Sequence, residues 1–452
     1  MVVSKIIITR LCIVVALLLW VFLVVYPSFP GHPTRDTLTQ IAQVHNHCIN
    51  NWKPALYAYL LMLGESLAAN GGVKFGYVVQ CGVFGLGYCL IVLSLCKKSM
   101  KYMALLLLLP FFGAKGCVMT EVGNDAMAAA CYVAFIGLIM YRRTMTVKCM
   151  RLSLLIVAFS ILWYGMCMRH NSAFCVAVLL AWAIKDMTGS SKRVVAASIT
   201  CTICFYILYF TIIELSHVEK SYPLKSAIAD DLINISILNG TWDEFCVKKQ
   251  KEQHIAYPPP NIVANLTPEV ANFHPCGLNV YGFIEDAKQR EADYEEYKRA
   301  WISCVKRNPL KYMVLKAYFF QQYLMAGRSI PIIDSYVKQK FKGTEIQYEG
   351  FHRHWHTWCS SAYAFCGFIP MISYMTLFYF LFQIYVRNKK YDIFVYDSIY
   401  ILSANLMYTL TFSIFTLSST EMRYYIINST LSLIALSIIF ISLKRFKIEA
   451  QS

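Results

Sequence analysis

The amino-acid sequence predicts an all-α polytopic membrane protein of about ten transmembrane helices, with one extracytoplasmic, mainly helical subdomain set between spans. Three observations predict it. Of 452 residues, 57% are hydrophobic, above the roughly 45–50% apolar content of a soluble domain, and mean hydropathy is +0.47. Apolar runs near the ~20 residues that cross a bilayer core recur along the chain. Basic residues cluster at alternate ends of those runs, the pattern that orients a polytopic protein.

The first run, 6–26 ("IIITRLCIVVALLLWVFLVVY"), is too long for a signal-peptide core and no small-residue cleavage site follows, so it reads as a retained anchor. The predicted spans are 6–26, 73–96, 102–114 extended into its flanks, 124–141, 152–168, 172–184, 194–215, 361–386, 392–416 and 425–443. Ten spans return the C-terminus to the side of the N-terminus. One set of ends carries Lys5 and Arg10; Lys97, Lys98 and Lys101; Arg142, Arg143, Lys148 and Arg151; Lys185, Lys192 and Arg193; Arg387, Lys389 and Lys390; and Lys444, Arg445 and Lys447. The opposite short loops hold only Arg35, Lys53, Lys74, Lys115, Arg169 and Arg423. By the positive-inside rule the first set is cytoplasmic, with both termini. The net charge of +16 is therefore a topology signal and excludes a nucleic-acid footprint.

Three regions follow: a membrane domain of spans one to seven (1–216), an extracytoplasmic subdomain (217–360), and a membrane domain of spans eight to ten (361–452). Region 217–360 has 18 basic and 16 acidic residues and is nearly neutral. Within it "EDAKQREADYEEYKRAWISCVKR" reads as a charged helix ending at Asn308-Pro309, since proline breaks the pattern. "LKYMVLKAYFFQQYLMAG" follows, aromatic and lysine-bearing, as suits a helix lying in the membrane interface. "PALYAYLLMLGESLAANGG" at 54–72 reads the same way, and 255–280 as loop. Most of the 17 cysteines sit in spans, as small apolar residues. Cys246 and Cys276 are candidate disulfide partners, with the pairing open. Sequons occur at Asn234, Asn239, Asn265 and Asn428; in a eukaryotic cell the first three would be accessible acceptors.

Placed on this topology, the polar residues of four separate loops share one face. Asp36, His45 and His47 lie in the first outer loop, and Glu121, Asn124 and Asp125 in the second. Arg169, His170 and Asn171 end span five, and Glu421, Arg423 and Tyr424 lie between spans nine and ten. Ionisable groups near membrane depth are costly and mark functional sites; ordinary loop charge is the alternative for each one alone. Asp36 and Asp125 stand closest to span ends. Arginines on the side the rule disfavours ask for an anionic partner. A carboxylate takes a proton from an attacking hydroxyl, and arginine or histidine neutralises a departing phosphate. There is no P-loop, GxSxG or HExxH. A donor working outside the cytoplasm must arrive already activated, and a phosphate-linked lipid meets that need.

Several stretches in order resemble the GT-C superfamily of polytopic glycosyltransferases, which take sugars from polyprenyl-phosphate carriers. They are "YPSFPGHPTRDTLTQ", "NNWKPALYAYLL", "EVGNDAMAAA", "MRHNS", "RAWISCVKRNPLKYMVLKAYFF" and "TEMRYY", spanning residues 26 to about 425. Size and motifs most resemble the bacterial O-antigen-modifying (Gtr-type) glucosyltransferases. The resemblance implies an inverting transfer of a hexose, glucose first, from undecaprenyl-phosphate-hexose to O-antigen or another surface glycan, at the bacterial inner membrane. It implies Asp36 as general base and Asp125 as a positioning acid. Arg169, His170, Arg423 and Lys53 would hold the donor phosphate, and the helix near 309–326 would flank the lipid. His45, His47, Glu121, Asn124 and Tyr424 are expected to support the acceptor side.

This chain departs from the family in carrying Lys53 where many relatives have His, and in lacking Asp-x-Asp, so no metal and no other cofactor is expected. "HRHWH" at 352–356 is a candidate metal segment, or a His-rich loop near headgroups. Expected partners are the lipid-linked sugar, the glycan acceptor and membrane lipids, with a flippase and a polyprenyl-phosphate glycosyltransferase as functional partners. The rival readings are a lipid-linked glycan flippase or transporter, which needs polar residues at mid-membrane, and an O-antigen ligase or polymerase.

Overall fold

The computed structural model describes residues 2–51, 53–69, 71–113, 121–189, 193–253, 286–325, 369–415 and 425–449. These residues are helical apart from turns, connecting segments and one two-residue parallel pairing, β1 (His32–Pro33) with β2 (Glu121–Val122). In chain order the helices are α1 (Val2–Trp20), α2 (Arg35–His45), α3 (Ala55–Leu67), α4 (Gly71–Cys96), α5 (Asn124–Arg142), α6 (Lys148–Cys167), α7 (Ala173–Thr188) and α8 (Val194–Leu215). Then come α9 (Leu224–Asn239), α10 (Glu244–Gln253), α11 (Ala287–Arg307), α12 (Pro309–Met325), α13 (Ile369–Tyr385), α14 (Ile393–Phe415) and α15 (Tyr425–Glu449). A π-helical turn, Val21–Val25, extends α1, and a 3₁₀ helix occupies Met100–Gly113.

Among the described residues seven helices are long and apolar enough to cross a membrane: Ile7–Val25, Gly71–Cys96, Asn124–Arg142, Lys148–Cys167, Val194–Leu215, Ile393–Thr411 and Ile426–Leu443. The chain is thus a helical protein built for a membrane. Its lipid-facing side is explicit in Leu11 and Leu18 of α1, Phe22 of the π-helical turn, Ile156 of α6, and Ile199, Ile203 and Ile207 of α8, all exposed. An apolar surface of that extent is stable in hydrocarbon and a liability in water. Cys201 and Cys204 lie in α8 with Thr202 and Ile203 between them. That spacing, within a spanning helix, goes with membrane packing.

The centre of the bundle is α5, whose sequence is rich in alanine for a packing reason. Ala126, Ala128, Ala129, Ala130 and Ala134 are buried, and small residues let helix backbones approach where no hydrophobic force separates helix from lipid. A Cβ on Gly87 of α4 would lie 2.5 Å from Ala134 N, and one on Gly165 of α6 would lie 2.7 Å from Cys131 Cβ. Both neighbours of α5 therefore need glycine at the crossing.

The 3₁₀ helix at Met100–Gly113 differs from the α-helical span expected there. At about 2.0 Å rise per residue, its 14 residues reach nearly the ~30 Å of a bilayer core. Its buried side chains follow three-residue spacing, Tyr102 with Leu105 and Leu106 with Leu109 and Phe112. Tyr88 donates to Leu105 O at 2.6 Å, and Tyr102 shares a hydrogen bond with Ser442 at 2.9 Å.

Two ionic clusters lie at opposite ends of the bundle. At one end Arg143 reaches Asp186 (Nε–Oδ1, 2.6 Å) and Asp397 (Nη2–Oδ1, 2.9 Å), Arg142 reaches Asp186 at 2.6 Å, and Trp182 Nε1 donates to Asp397 at 2.8 Å. Lys98 pairs with Asp392, five residues before Asp397, at 2.6 Å. These groups join α5, α7 and α14 at the end the sequence reads as cytoplasmic. The opposite end carries the loops of Asp36, Asp125 and Arg169.

Helices α9 to α12 form a second, smaller core of Ile228, Leu232, Ile235, Cys246, Tyr297, Cys304 and Leu315. A buried ion pair joins Lys316 Nζ to Asp231 Oδ1 at 2.7 Å, and Trp301 Nε1 donates to Asp231 Oδ2 at 3.0 Å. Burial pushes the Asp231 carboxyl above its ordinary range, against the pull of Lys316 and Trp301. Leu310, Met313 and Val314 of α12 are exposed, the apolar face expected of an interfacial helix. Two sequence expectations change here. Asn234 is fully buried and donates to Asp230 O at 2.8 Å, so it is no accessible glycosylation acceptor. Cys246 is a buried free thiol, and Cys276 lies outside the described residues.

Candidate functional site

The first and second loops at the Asp36 end are sewn together. Gly31 has φ +87° and sits where any Cβ would overlap Val122 Cγ2 and lie 2.6 Å from Tyr77 Cδ2; only glycine fits that conformation and that space. Beyond it β1 pairs in parallel with β2, His32 opposite Glu121 and Pro33 opposite Val122. Thr34 N donates to Val122 O at 3.3 Å, and Thr37 Oγ1 donates to the same carbonyl at 2.6 Å in a buried bond. Gln80 Nε2 of α4 holds Glu121 O at 2.8 Å.

Asp36 is in a helix, where the sequence reading had a loop. Thr34 is the N-cap of α2, its hydroxyl accepting from Thr37 N at 3.2 Å, the usual role of threonine at that position. Asp36 is the second residue of α2 and Asp125 the second of α5. Each acid occupies a first turn, the end where the helix dipole favours an anion. Thr37 next to Asp36, and Val122 three residues before Asp125, are the bonded pair that couples the two helix starts.

Each acid has a basic partner. Gln40 Nε2 of α2 donates to Pro54 O at 3.0 Å, which holds the 53–54 segment beside α2, and Lys53 Nζ lies 2.9 Å from Asp36 Oδ1. The side chains of Lys53 and Asp36 are 23% and 17% exposed, so the pair is sheltered yet reachable. Asp125 is ion-paired with Arg169 Nε, at 9% and 16% exposure. Arg169 is fixed by its own corner: its N–H donates to Met166 O at 3.0 Å and its carbonyl accepts from Ser172 Oγ at 2.6 Å. Tyr408 of α14, fully buried, places its hydroxyl against Arg169 and Asp125.

Beneath Tyr408 is a polar layer among apolar helices. Asn428 Nδ2 donates to Thr409 Oγ1 at 2.7 Å, Asn405 Nδ2 to Ser432 Oγ at 2.7 Å, and Ser432 Oγ to Ser373 Oγ at 3.0 Å. Tyr374 shares a hydrogen bond with Thr409. These side chains tie α13, α14 and α15 together behind the ion pairs.

Other expected residues are placed as follows. His45, in the last turn of α2, lies 3.5 Å from Glu65 Oε2 of α3, and Glu65 Oε1 accepts from Gly72 N at 2.9 Å. His47 follows α2 with φ 51°, exposed. Asn124 begins α5 and is buried, and Glu121 contributes its backbone to the seam. His170 begins the 3₁₀ turn His170–Ser172; its side chain, Arg423, Tyr424 and the 352–356 segment lie outside the described residues. The loops carrying Asp36, Lys53, Asp125 and Arg169 are brought to one end of the bundle, and His45 forms a separate pair with Glu65. Among the described residues no group of three His, Cys, Asp or Glu side chains is placed to hold a metal ion.

Sequence reading missed Tyr408, Glu65 and the Thr34–Thr37 bonds to Val122. Only the threonines carried a signal, the Thr-x-x-Thr start of a helix. No family model matches the chain, and no curated protein and no solved structure shows significant similarity to it.

Chemically the arrangement offers two carboxylates at helix starts and two cations, balanced in charge. A buried tyrosine hydroxyl stands behind one pair. Such a set can accept a proton at one acid and hold an anion at the cations.

Proposed function

We propose that the protein is a ten-span glycosyltransferase of GT-C-like architecture. It moves a hexose, glucose first, from a polyprenyl-phosphate carrier to an extracytoplasmic glycan acceptor such as O-antigen, in a bacterial inner membrane. The observation that carries the reading is the seam of Gly31, Thr34 and Thr37 on Val122, which joins the loops of Asp36 and Asp125. Beyond the seven long apolar helices, the 3₁₀ helix, α7 and α13 supply the remaining three spans of this reading.

In the proposed step the acceptor hydroxyl oxygen attacks the anomeric carbon from the face opposite the phosphate, inverting it. Asp36 takes the hydroxyl proton. The bond from that carbon to the phosphate oxygen breaks, and its electron pair leaves with the polyprenyl phosphate. Lys53 and Arg169 neutralise the oxygen charge as it develops, and Asp125 with Tyr408 orients Arg169. Helix α12, with its exposed apolar face, lies against the lipid.

A transporter reading has one observation in its favour, the polar layer of Asn405, Thr409, Asn428 and Ser432. Those side chains bond to one another and lock three helices, which favours a structural role. The test is purified protein in proteoliposomes with labelled polyprenyl-phosphate glucose and O-antigen polysaccharide. Acceptor-dependent release of polyprenyl phosphate is expected. Movement of intact donor across the bilayer, without release, would replace the enzyme by a transporter.

A further inference from the structure

The free site is already full. Among the described residues, the two cations proposed to hold phosphate are each taken by one of the acids: Lys53 by Asp36 at 2.9 Å, and Arg169 by Asp125. The four charges cancel, which lowers the cost of keeping them near hydrocarbon. An entering phosphate makes the set net negative unless a carboxylate gives up its cation and then gains a proton.

We infer that Asp36–Lys53 and Asp125–Arg169 form one two-point phosphate site, filled in the free protein by its own carboxylates and entered by exchange. The inference rests on the reading of Asp36 as the base and adds an order to it. A carboxylate beside an ammonium is a weaker base than one without it. When the lipid phosphate draws Lys53 away, Asp36 loses its counter-ion and becomes the better proton acceptor. Donor binding thus switches on the base, and donor precedes acceptor. Lys53–Asp36 is the pair that opens, because it is the more exposed and its lysine is a flexible point charge. Arg169, held by its corner and by Tyr408, is the fixed point.

The charge balance follows the reaction. The donor is a phosphodiester with one negative charge and claims one cation. Transfer breaks the sugar–oxygen bond, and the acceptor proton goes to Asp36. The monoester left behind carries about 1.5 to 2 negative charges and claims both cations. Product therefore binds tighter than a diester of the same lipid, and its departure restores both pairs.

The test is binding to the purified full chain in micelles, with a polyprenyl monophosphate as probe and inorganic phosphate as competitor. Asp36→Asn and Asp36→Ser, the second in case the first folds poorly, are each expected to bind the probe about two- to fivefold tighter than wild type, the range set by a partly exposed ion pair. Lys53→Gln binds it more weakly, and Asp36→Asn with Lys53→Gln loses the gain. Inorganic phosphate competes only at far higher concentration. Equal or weaker binding by both Asp36 variants, with wild type still binding, overturns the exchange and leaves the phosphate-lipid site standing. Absence of binding by wild type and every variant removes the glycosyltransferase reading itself. Competition by inorganic phosphate as effective as by the lipid assigns the site to free phosphate instead.

Discussion

The Asp125–Arg169 pair is the most exacting place to perturb the site, because both charges are largely removed from water. Asp125→Ala leaves the Arg169 guanidinium without its carboxylate, in a corner where it is 16% exposed and faces Tyr408. Breaking a fully buried pair costs about 3–5 kcal/mol; with part of Arg169 reaching solvent, about 2–4 kcal/mol is expected. Arg169→Met strands Asp125 instead and costs a similar amount. The double variant strands neither charge, so its cost falls to about 1–2 kcal/mol, chiefly lost hydrogen bonding. Detergent-titrated unfolding in mixed micelles, followed by tryptophan fluorescence, measures all four proteins. A coupling of about 3–6 kcal/mol follows, the two single costs less that of the double variant. Single costs that simply add, within about 0.5 kcal/mol, would refute the pairing and the orientation of Arg169 built on it.

Gly31→Ala forces a left-handed residue against Val122 and Tyr77. It should cost about 1–3 kcal/mol and lower sugar transfer tenfold or more, because small displacements of reacting groups are expensive. Unchanged unfolding and unchanged transfer would show that the seam does not position Asp36. Single-cysteine variants test sidedness: a membrane-impermeant maleimide on intact cells should label Cys48 and spare Cys149, both exposed but at opposite ends. The reverse pattern would invert the topology. Burial pushes the Cys246 thiol up to about 12 and the Cys304 thiol up to about 11, so neither should react before the protein is denatured.

The membrane character and the grouping of loops were legible because both depend on composition along single segments. Lysine and arginine clusters mark alternate helix ends in the sequence, and at one such end Arg143 meets Asp186 and Asp397. The acids were harder. Asp36 looked like a loop residue because Pro30, Gly31 and Pro33 precede it and α2 is short and polar; the Thr34 cap was the overlooked signal. The contact of Lys53 with Asp36 depends on Gln40 holding Pro54, a long-range bond no local pattern encodes. Tyr408 is one of 31 tyrosines and gains its place only from the packing of α14 on α7 and the His170–Ser172 turn. The polar layer was overlooked for a related reason: spans that are apolar on average hide Asn405 and Thr409, four residues apart on one helix face.

The most direct measurement is product formation from polyprenyl-phosphate glucose by wild type and Asp36→Asn, reconstituted at equal protein and matched for folding. One carboxylate at the start of α2 is held to accept the acceptor's proton, so the asparagine variant should transfer at least a hundredfold more slowly while still binding the lipid. Transfer at the wild-type rate would contradict the account at its centre.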